Sequence, residues 1–483
     1  MLKRKRLAAF LLAASLLCSV IPSGCADSGG GTPSQQSSSS AEDPAGESSQ
    51  ESAEESKTPE MSGELKLLGP GKFTEVGPDG ATDPVTGLFR PGYNEVVELF
   101  REKYPEVTLK IEAIPWDSYQ AKIQTAVSAG EVDVILHGAV VLEATEDLNT
   151  YIERDPEIVD QLFLGTAVRH KYDDNYAYMA VTGIPATISP AMLMLDKQLF
   201  EDFGVEVPTA DDLTWDKLLE ISKQLTGTNP RTGEECYGMY PFKVDDSNIY
   251  KNIIAVNWAR DVEGFIYHDN KAETEIHFDT PESVEAIDFL NQFVQLAPPG
   301  YLEGLGNEKQ ATEENNVAIY MSEDLMLAYD KSEANGIADR FAYLPLPMTE
   351  DGKSYTSHSG DWNLAIANTS QKKDMAWEFI KFMVTDPEVQ QWYIDINAIP
   401  NNRDGFESYL ALDRPYTDAI KRIYEKYPAD FCYTSCEYWN TSFGPSNSVL
   451  ANALGELFAG NTTAEECAQS IQQGLEEYRD SLK

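Results

Sequence analysis

VTLKIEAIPWDSYQAKIQTAVSAGEVDVIL, residues 107–136, is the stretch that decides the fold. Val107 to Ile114 is a short extended run. Past Pro115, the residues Tyr119, Ile123 and Val127 recur at helical spacing until Gly130 stops the helix, and Val132 to Leu136 reads as a second strand. The same alternation precedes it: Glu64 to Leu68 reads as a strand, a Gly/Pro-rich loop follows, and Tyr93, Val96, Val97, Phe100 and Tyr104 share one helical face. Strands alternating with amphipathic helices specify an α/β architecture, here a parallel sheet covered on both faces. Ligands of such sheets sit at the carboxyl ends of the strands. In this chain those are the loops after Leu68, after Ile114 and around His137 and Gly138.

The chain opens with Lys3, Arg4, Lys5 and Arg6, an apolar run from Leu7 to Ile21, and then Ser23, Gly24 and Cys25. A basic start, an apolar stretch short of the roughly 20 residues of a membrane span, and small residues before a cysteine read as a cleavable signal. The order of parts resembles the bacterial lipoprotein signal, although Pro22 stands where that signal usually carries Leu. The resemblance implies a signal peptide over 1–24, lipid on Cys25 and an extracytoplasmic protein anchored to the cell membrane. Residues 26–64 hold eleven serines, nine carboxylates and no aromatic residue, too little apolar surface to offset the entropy of ordering. Residues 25–64 therefore read as a lipidated cysteine and a flexible tether, with a root-mean-square reach on the order of 30 to 35 Å.

From Leu65 onward 32 Lys and Arg face 71 Asp and Glu, a balance of −39 within the chain's −43. That charge argues against nucleic acid, whose phosphates need clustered Lys and Arg, and disfavours any polyanionic ligand. A composition 42% hydrophobic and 10% aromatic suits a globular body of two or three domains, and no later stretch reaches membrane-spanning length. Of the cysteines beyond the leader, Cys432 and Cys436 are the nearest pair; Cys236 and Cys467 stand apart. One disulfide is conceivable outside the cell. With no second close Cys pair and no His at ligand spacing, neither a metal site nor a cofactor is expected.

Farther along, Thr214 precedes a helix running from Trp215 through Leu218, Leu219, Ser222 and Leu225. Ala376, Phe379, Ile380 and Met383 form another apolar stripe, ended by Asp386 and Pro387, and Cys467, Ile471, Leu475, Tyr478 and Leu482 a last one. Three blocks in this order resemble the extracellular solute-binding proteins of ABC importers, in the branch that includes maltose- and oligosaccharide-binding proteins. The first is Trp116-Asp117-Ser118-Tyr119 with Ala129-Gly130-Glu131-Val132-Asp133-Val134. The second is Pro185, Leu195-Asp196-Lys197-Gln198-Leu199-Phe200 and Gly204 to Pro208. The third is Gly360 to Ile366, then Ala376 to Phe382 and Ile399-Pro400. The resemblance implies a two-lobed, type II periplasmic-binding-protein-like fold with ligand in the cleft. Lobe one would hold 65–182 plus 346–398 and lobe two 183–345 plus 399–483, with hinges near Thr182 to Pro185, Leu344 to Pro347 and Pro400. It also implies a monomer that passes its solute to a membrane permease and is no enzyme.

Sugars present C–H faces and hydroxyl rings, so their sites combine aromatic platforms with paired polar groups. Trp362 leads the candidates, with Asp361 as a hydroxyl acceptor and Gly360 before it, at the start of an apolar strand; for Trp362 core packing is the competing reading. Trp116 lies where a strand passes into a helix, and His137 follows a strand. Asn257 and Trp258, Tyr240, Glu323 and Asp324, and Tyr438 and Trp439 are further candidates in lobe two. Ser322-Glu323-Asp324-Leu325 replaces the family's frequent Gly-x-Trp, a departure from a maltose-like stacking arrangement. The rival functions are a secreted glycoside hydrolase, which needs two carboxyls about 5 to 9.5 Å apart, and a solute-binding lipoprotein for a polyamine or a peptide.

Overall fold

The computed structural model describes residues 61–71, 77–84, 86–136, 144–163, 169–172, 179–242, 265–266, 275–323, 325–348, 352, 360–426 and 445–481. The expected signal peptide, Cys25 and nearly all of the expected tether lie outside them. Two sheets organise the rest. Their strands are β1 (Gly63–Pro70), β2 (Val107–Ile114), β3 (Val134–Leu136), β4 (Arg169–Tyr172), β5 (Met179–Ile188), β6 (Met192–Asp196), β7 (Ile319–Ser322), β8 (Phe341–Pro345), β9 (Gly360–Ile366) and β10 (Ile399–Pro400). The larger sheet is seven-stranded, in the order β10-β5-β9-β3-β1-β2, with β4 also on β5; the smaller has β6 between β7 and β8.

The opening β1, β2 and β3 pair in parallel, as the alternation of strand and helix predicts. The expected all-parallel sheet is nevertheless mixed, because β9 runs antiparallel to both β3 and β5, and β10 and β4 antiparallel to β5. Parallel pairing needs a crossover that returns the chain to the same end of the sheet. Here β5 leads instead into the smaller sheet, and the chain comes back as β9 from the opposite end.

The helices used below are α1 (Asn94–Lys103), α2 (Trp116–Ser128), α3 (Lys197–Phe203), α4 (Trp215–Gln224), α5 (Pro281–Val294), α6 (Leu325–Ala334), α7 (Lys373–Thr385), α8 (Pro387–Asp395), α9 (Arg403–Leu410), α10 (Thr417–Lys426), α11 (Pro445–Phe458) and α12 (Ala464–Ser481). Their ends follow local rules. Gly130, at φ +67, closes α2 with its N–H donating to Val127 O. The Thr214 hydroxyl accepts from Lys217 N at 3.1 Å to start α4, and Asp386 caps α8 ahead of Pro387. Among the described residues no helix is long and apolar enough to cross a membrane.

Strand alternation sorts the larger sheet into two faces. Leu65, Leu67, Val134, Leu136, Ile184, Leu364 and Ile366 meet α1, α7 and α8 on one side, where the Phe100 ring lies edge-on to Phe379 and Phe382 at 5.2 and 5.1 Å. Leu68, Ile135 and Ala365 meet Tyr119, Ile123 and Val127 of α2 on the other. A separate core gathers around β6, all five of whose residues are buried, and takes in α3 to α6 and α9 to α12. Along β5, membership passes from Ala186 in the first core to Ile188 in the last.

Asp196 fastens the smaller sheet. It is 1% exposed, its carboxylate accepts from Gln198 N and Leu199 N at the start of α3, from Arg340 Nε at 2.8 Å and from Asn315 Nδ2 at 2.6 Å. Removing one partner of a buried ion pair leaves the other charge uncompensated, which costs about 3–5 kcal/mol. Asp196→Ala should lose that much in urea denaturation, and a loss under about 1 kcal/mol, the worth of a surface pair, would contradict this role.

Candidate functional site

The parallel strands end along one edge, since Pro70 pairs with Ile114 and Leu68 with Ile135. Trp116 opens α2 just past the end of β2. His137 follows the last residue of β3 and lies outside the described residues. Strand β9 places Leu364 opposite Leu136, so Gly360 to Asn363 run on past the end of β3 along the same edge. The structure thus brings the start of α2 and the Gly360-Asp361-Trp362 segment to the edge where open α/β sheets hold ligands.

On its other side β9 pairs with β5, Gly360 with Ile188, Asp361 with Thr187 and Asn363 with Pro185. Trp362 has a φ of +47. A left-handed backbone costs a bulky L-residue roughly 1–2 kcal/mol, so its surroundings must hold it. They do: the pairs on either side fix the strand, and the half-buried indole stands edge-on to Tyr393 at 6.4 Å and 80°. Tyr393 is fully buried, its hydroxyl has no hydrogen-bond partner among the described residues, and burial pushes its phenol pKa up. Asn363 is also buried, at 2% exposure, with its Oδ1 unmatched. The arrangement is a half-buried indole, packed against the first core beside Tyr393, near the start of a strand paired with β5.

Other candidates fall elsewhere. Tyr240 is a packing residue: it is 4% exposed, stands edge-on to Tyr301 at 5.1 Å, and its hydroxyl donates to Leu305 O at 3.2 Å inside the second sheet's core. Glu323 is half-buried and directly follows β7, whose Ser322 pairs with Met192 at the start of β6, close in sequence to Ile188. Asn257, Trp258, Asp324, Tyr438 and Trp439 lie outside the described residues, as do Cys432 and Cys436. Cys236 and Cys467 are free buried thiols, and burial pushes Cys467 up to about 12. Sequence reasoning missed Tyr393, which lies past Pro387, where the sequence reading ends a helix, and Asn363, whose signal was a lone amide inside an apolar strand. A groove of about 560 Å³ lies between α1 and α8, lined by Asn94, Glu98, Leu99, Glu102, Gln391 and Trp392.

The profile of the bacterial extracellular solute-binding proteins matches residues 86–390. This chain belongs to that family. A lactose-binding protein of Rhizobium radiobacter is 20% identical over 293 residues, 59% of this chain and 65% of that one. An ABC substrate-binding protein from Listeria monocytogenes, in complex with cycloalternan, has a TM-score of 0.62 at 18% identity, with 86% of this chain and 98% of that one covered. The maltose-bound MalE3 of T. maritima has a TM-score of 0.61 at 16% identity, with 86% and 99% covered. These likenesses show the fold, the two-lobed type II periplasmic-binding-protein architecture with its cleft between the lobes. The solute-binding family is one of binding proteins, so the hydrolase rival falls away.

The backbone of Trp362 gives a test independent of ligand. In an ordinary strand glycine is less stable than alanine by roughly 0.5–1 kcal/mol. At a left-handed position that order reverses, so Trp362→Gly should be at least as stable in urea as Trp362→Ala. An alanine variant more stable by the ordinary margin would contradict the observed conformation.

Proposed function

We propose that this solute-binding protein is the membrane-tethered capture subunit of an ABC importer, that it closes its two lobes on a neutral sugar, a di- or oligosaccharide, and that it presents the closed form to a permease. The observation that carries the ligand class is Trp362, an indole pinned at the ligand edge of the sheet by a backbone that only packing sustains. Relatives named for lactose, cycloalternan and maltose support the same class, and a body charge of −39 favours a ligand without net negative charge. Asp361 and Gly360 beside Trp362, and Trp116 and His137 along the edge, are the proposed companions from lobe one; Glu323 is the proposed contribution of lobe two.

The lobes are placed at 65–182 plus 346–398 and 183–345 plus 399–483. The passage of β5 from one core to the other between Ala186 and Ile188 supports a crossover in this region. Closure is then a change of dihedral angles at a few crossover residues while each lobe moves as a body. Ligand touching both lobes favours the closed state, and that difference is what a permease can read.

Stacking a sugar face on an indole contributes on the order of 1 to 3 kcal/mol. Trp362→Ala should therefore weaken sugar binding about tenfold or more while the protein stays folded. Titration calorimetry against plant and host oligosaccharides, polyamines and peptides tests both claims. Micromolar binding of a polyamine or peptide with no sugar binding overturns the ligand class, and an unchanged sugar affinity in folded Trp362→Ala overturns the platform.

The tether has its own test. Cys25→Ala should release the protein into the medium or leave it unprocessed, whereas the wild type should sediment with membranes. An unmodified Cys25 at the mature N-terminus would contradict lipid anchoring.

A further inference from the structure

A polar network joins segments rooted in the two cores. The hairpin Ala81–Thr82 with Phe89–Arg90 is fastened to the first core: Asn94 N donates to Pro78 O, and Gly92 O accepts from Trp392 Nε1 at 3.2 Å. Its base is closed so tightly that a Cβ on Gly92 would stand 2.1 Å from Gly80 N. At its end Arg90 reaches α6, whose Leu325, Met326 and Tyr329 belong to the core around β6. There its guanidinium pairs with Asp330 at 2.8 Å, with side chains 14% and 4% exposed. The same guanidinium donates to Ile396 O at 3.4 Å.

Asn397, next along the chain and just before β10, turns with φ +61 and donates through Nδ2 to Asp330 Oδ2 at 2.8 Å. Its Oδ1 accepts from Arg414 Nη1 at 2.6 Å and from Tyr409 hydroxyl at 3.1 Å, both from the α9 to α10 region of the second core. Arg414 Nη1 lies 4.0 Å from Asp330 Oδ1 and donates to Tyr416 hydroxyl at 2.8 Å. Burial pushes the Asp330 carboxyl above the usual range against the pull of Arg414 and Arg90, with Glu333 adding a further upward push. The arginines that face this buried carboxylate favour its charged form.

We propose that Arg90, Asp330 and Asn397 form an interlobe latch, a buried ion cluster that ties the lobe-one hairpin to α6 of lobe two at the β10 crossover and so sets the resting angle between the lobes. A surface pair between two lobes would be too weak and too screened to bias a domain equilibrium. A dry pair held by a closed hairpin on one side and a helix on the other breaks as a unit, because either lobe carries its own charge away from the partner. The inference rests on the capture reading only for its consequence on affinity; the contact itself does not depend on which solute is bound.

The experiment is small-angle scattering of the full chain without ligand, comparing wild type, Arg90→Ala, Asp330→Asn and the charge exchange Arg90→Asp with Asp330→Arg. Titration with maltose accompanies each. Both single variants should shift the radius of gyration in the same direction and change maltose affinity by about threefold or more, although neither residue belongs to the Gly360-Asp361-Trp362 segment. The charge exchange should bring both readouts back toward wild type. Arg90→Lys, which keeps the charge and loses the second hydrogen bond, should fall between and serves if the alanine variant does not fold. Folded variants with wild-type radii overturn the latch. If maltose binds no variant and not the wild type, the radii still decide the latch while that failure counts against the sugar reading alone.

Discussion

The antiparallel pairing of β9 with β5, from Gly360 opposite Ile188 to Leu364 opposite Ile184, is the constraint on which the rest of this structure depends. It makes the strand that leaves the larger sheet and the strand that returns to it neighbours, so two separate cores share a common seam. Everything of functional interest is positioned from that seam. It carries Trp362 past the end of β3, it sets the change of core at Ala186 and Ile188, and β10 adds to its free side through Ile399 and Pro400. A sheet closed by local crossovers alone would have a ligand edge but no second body to close over it.

The strain at Trp362 belongs to the same logic. A tryptophan at φ +47 persists only where flanking pairs and packing over-determine it, and here they are Asp361 with Thr187, Asn363 with Pro185, and the buried ring of Tyr393. The position that holds the indole rigid also lies on β9, the neighbour of β5, along which the first core gives way to the second between Ala186 and Ile188. Preorganisation of this kind lowers the ordering cost of binding. The Arg90 and Asp330 pair acts on the other term, the cost of moving the lobes themselves.

How much of this was legible in the sequence depends on the range over which each feature is decided. Gly130 as the stop of α2, Thr214 as a cap, Asp386 and Pro387 as the end of α7, and the stripe through Phe379 and Met383 are set within a few residues, and they read correctly. The three parallel strands follow from their alternation with helices. The direction of β9 did not follow, because it depends on a route through some 170 residues between β5 and β9 that no local pattern describes. Tyr240 reads as a polar aromatic available to a ligand, yet its hydroxyl is used by Leu305 and its ring by Tyr301 and Tyr320, partners 61 and more residues away. Arg90 and Asp330 stand 240 positions apart, so neither marks the other. The left-handed turn at Trp362 was invisible because tryptophan gives no signal for it; a glycine or asparagine would have.

The central claim is that a neutral sugar is held at the seam between the lobes. Amide hydrogen exchange with and without a sugar that calorimetry shows to be saturating tests it most directly. The account predicts slower exchange over Gly360 to Asn363 and at Thr187 and Ile188, with the α1 helix on the outer groove unchanged. Protection confined to α1, or none at the seam at saturation, would contradict it.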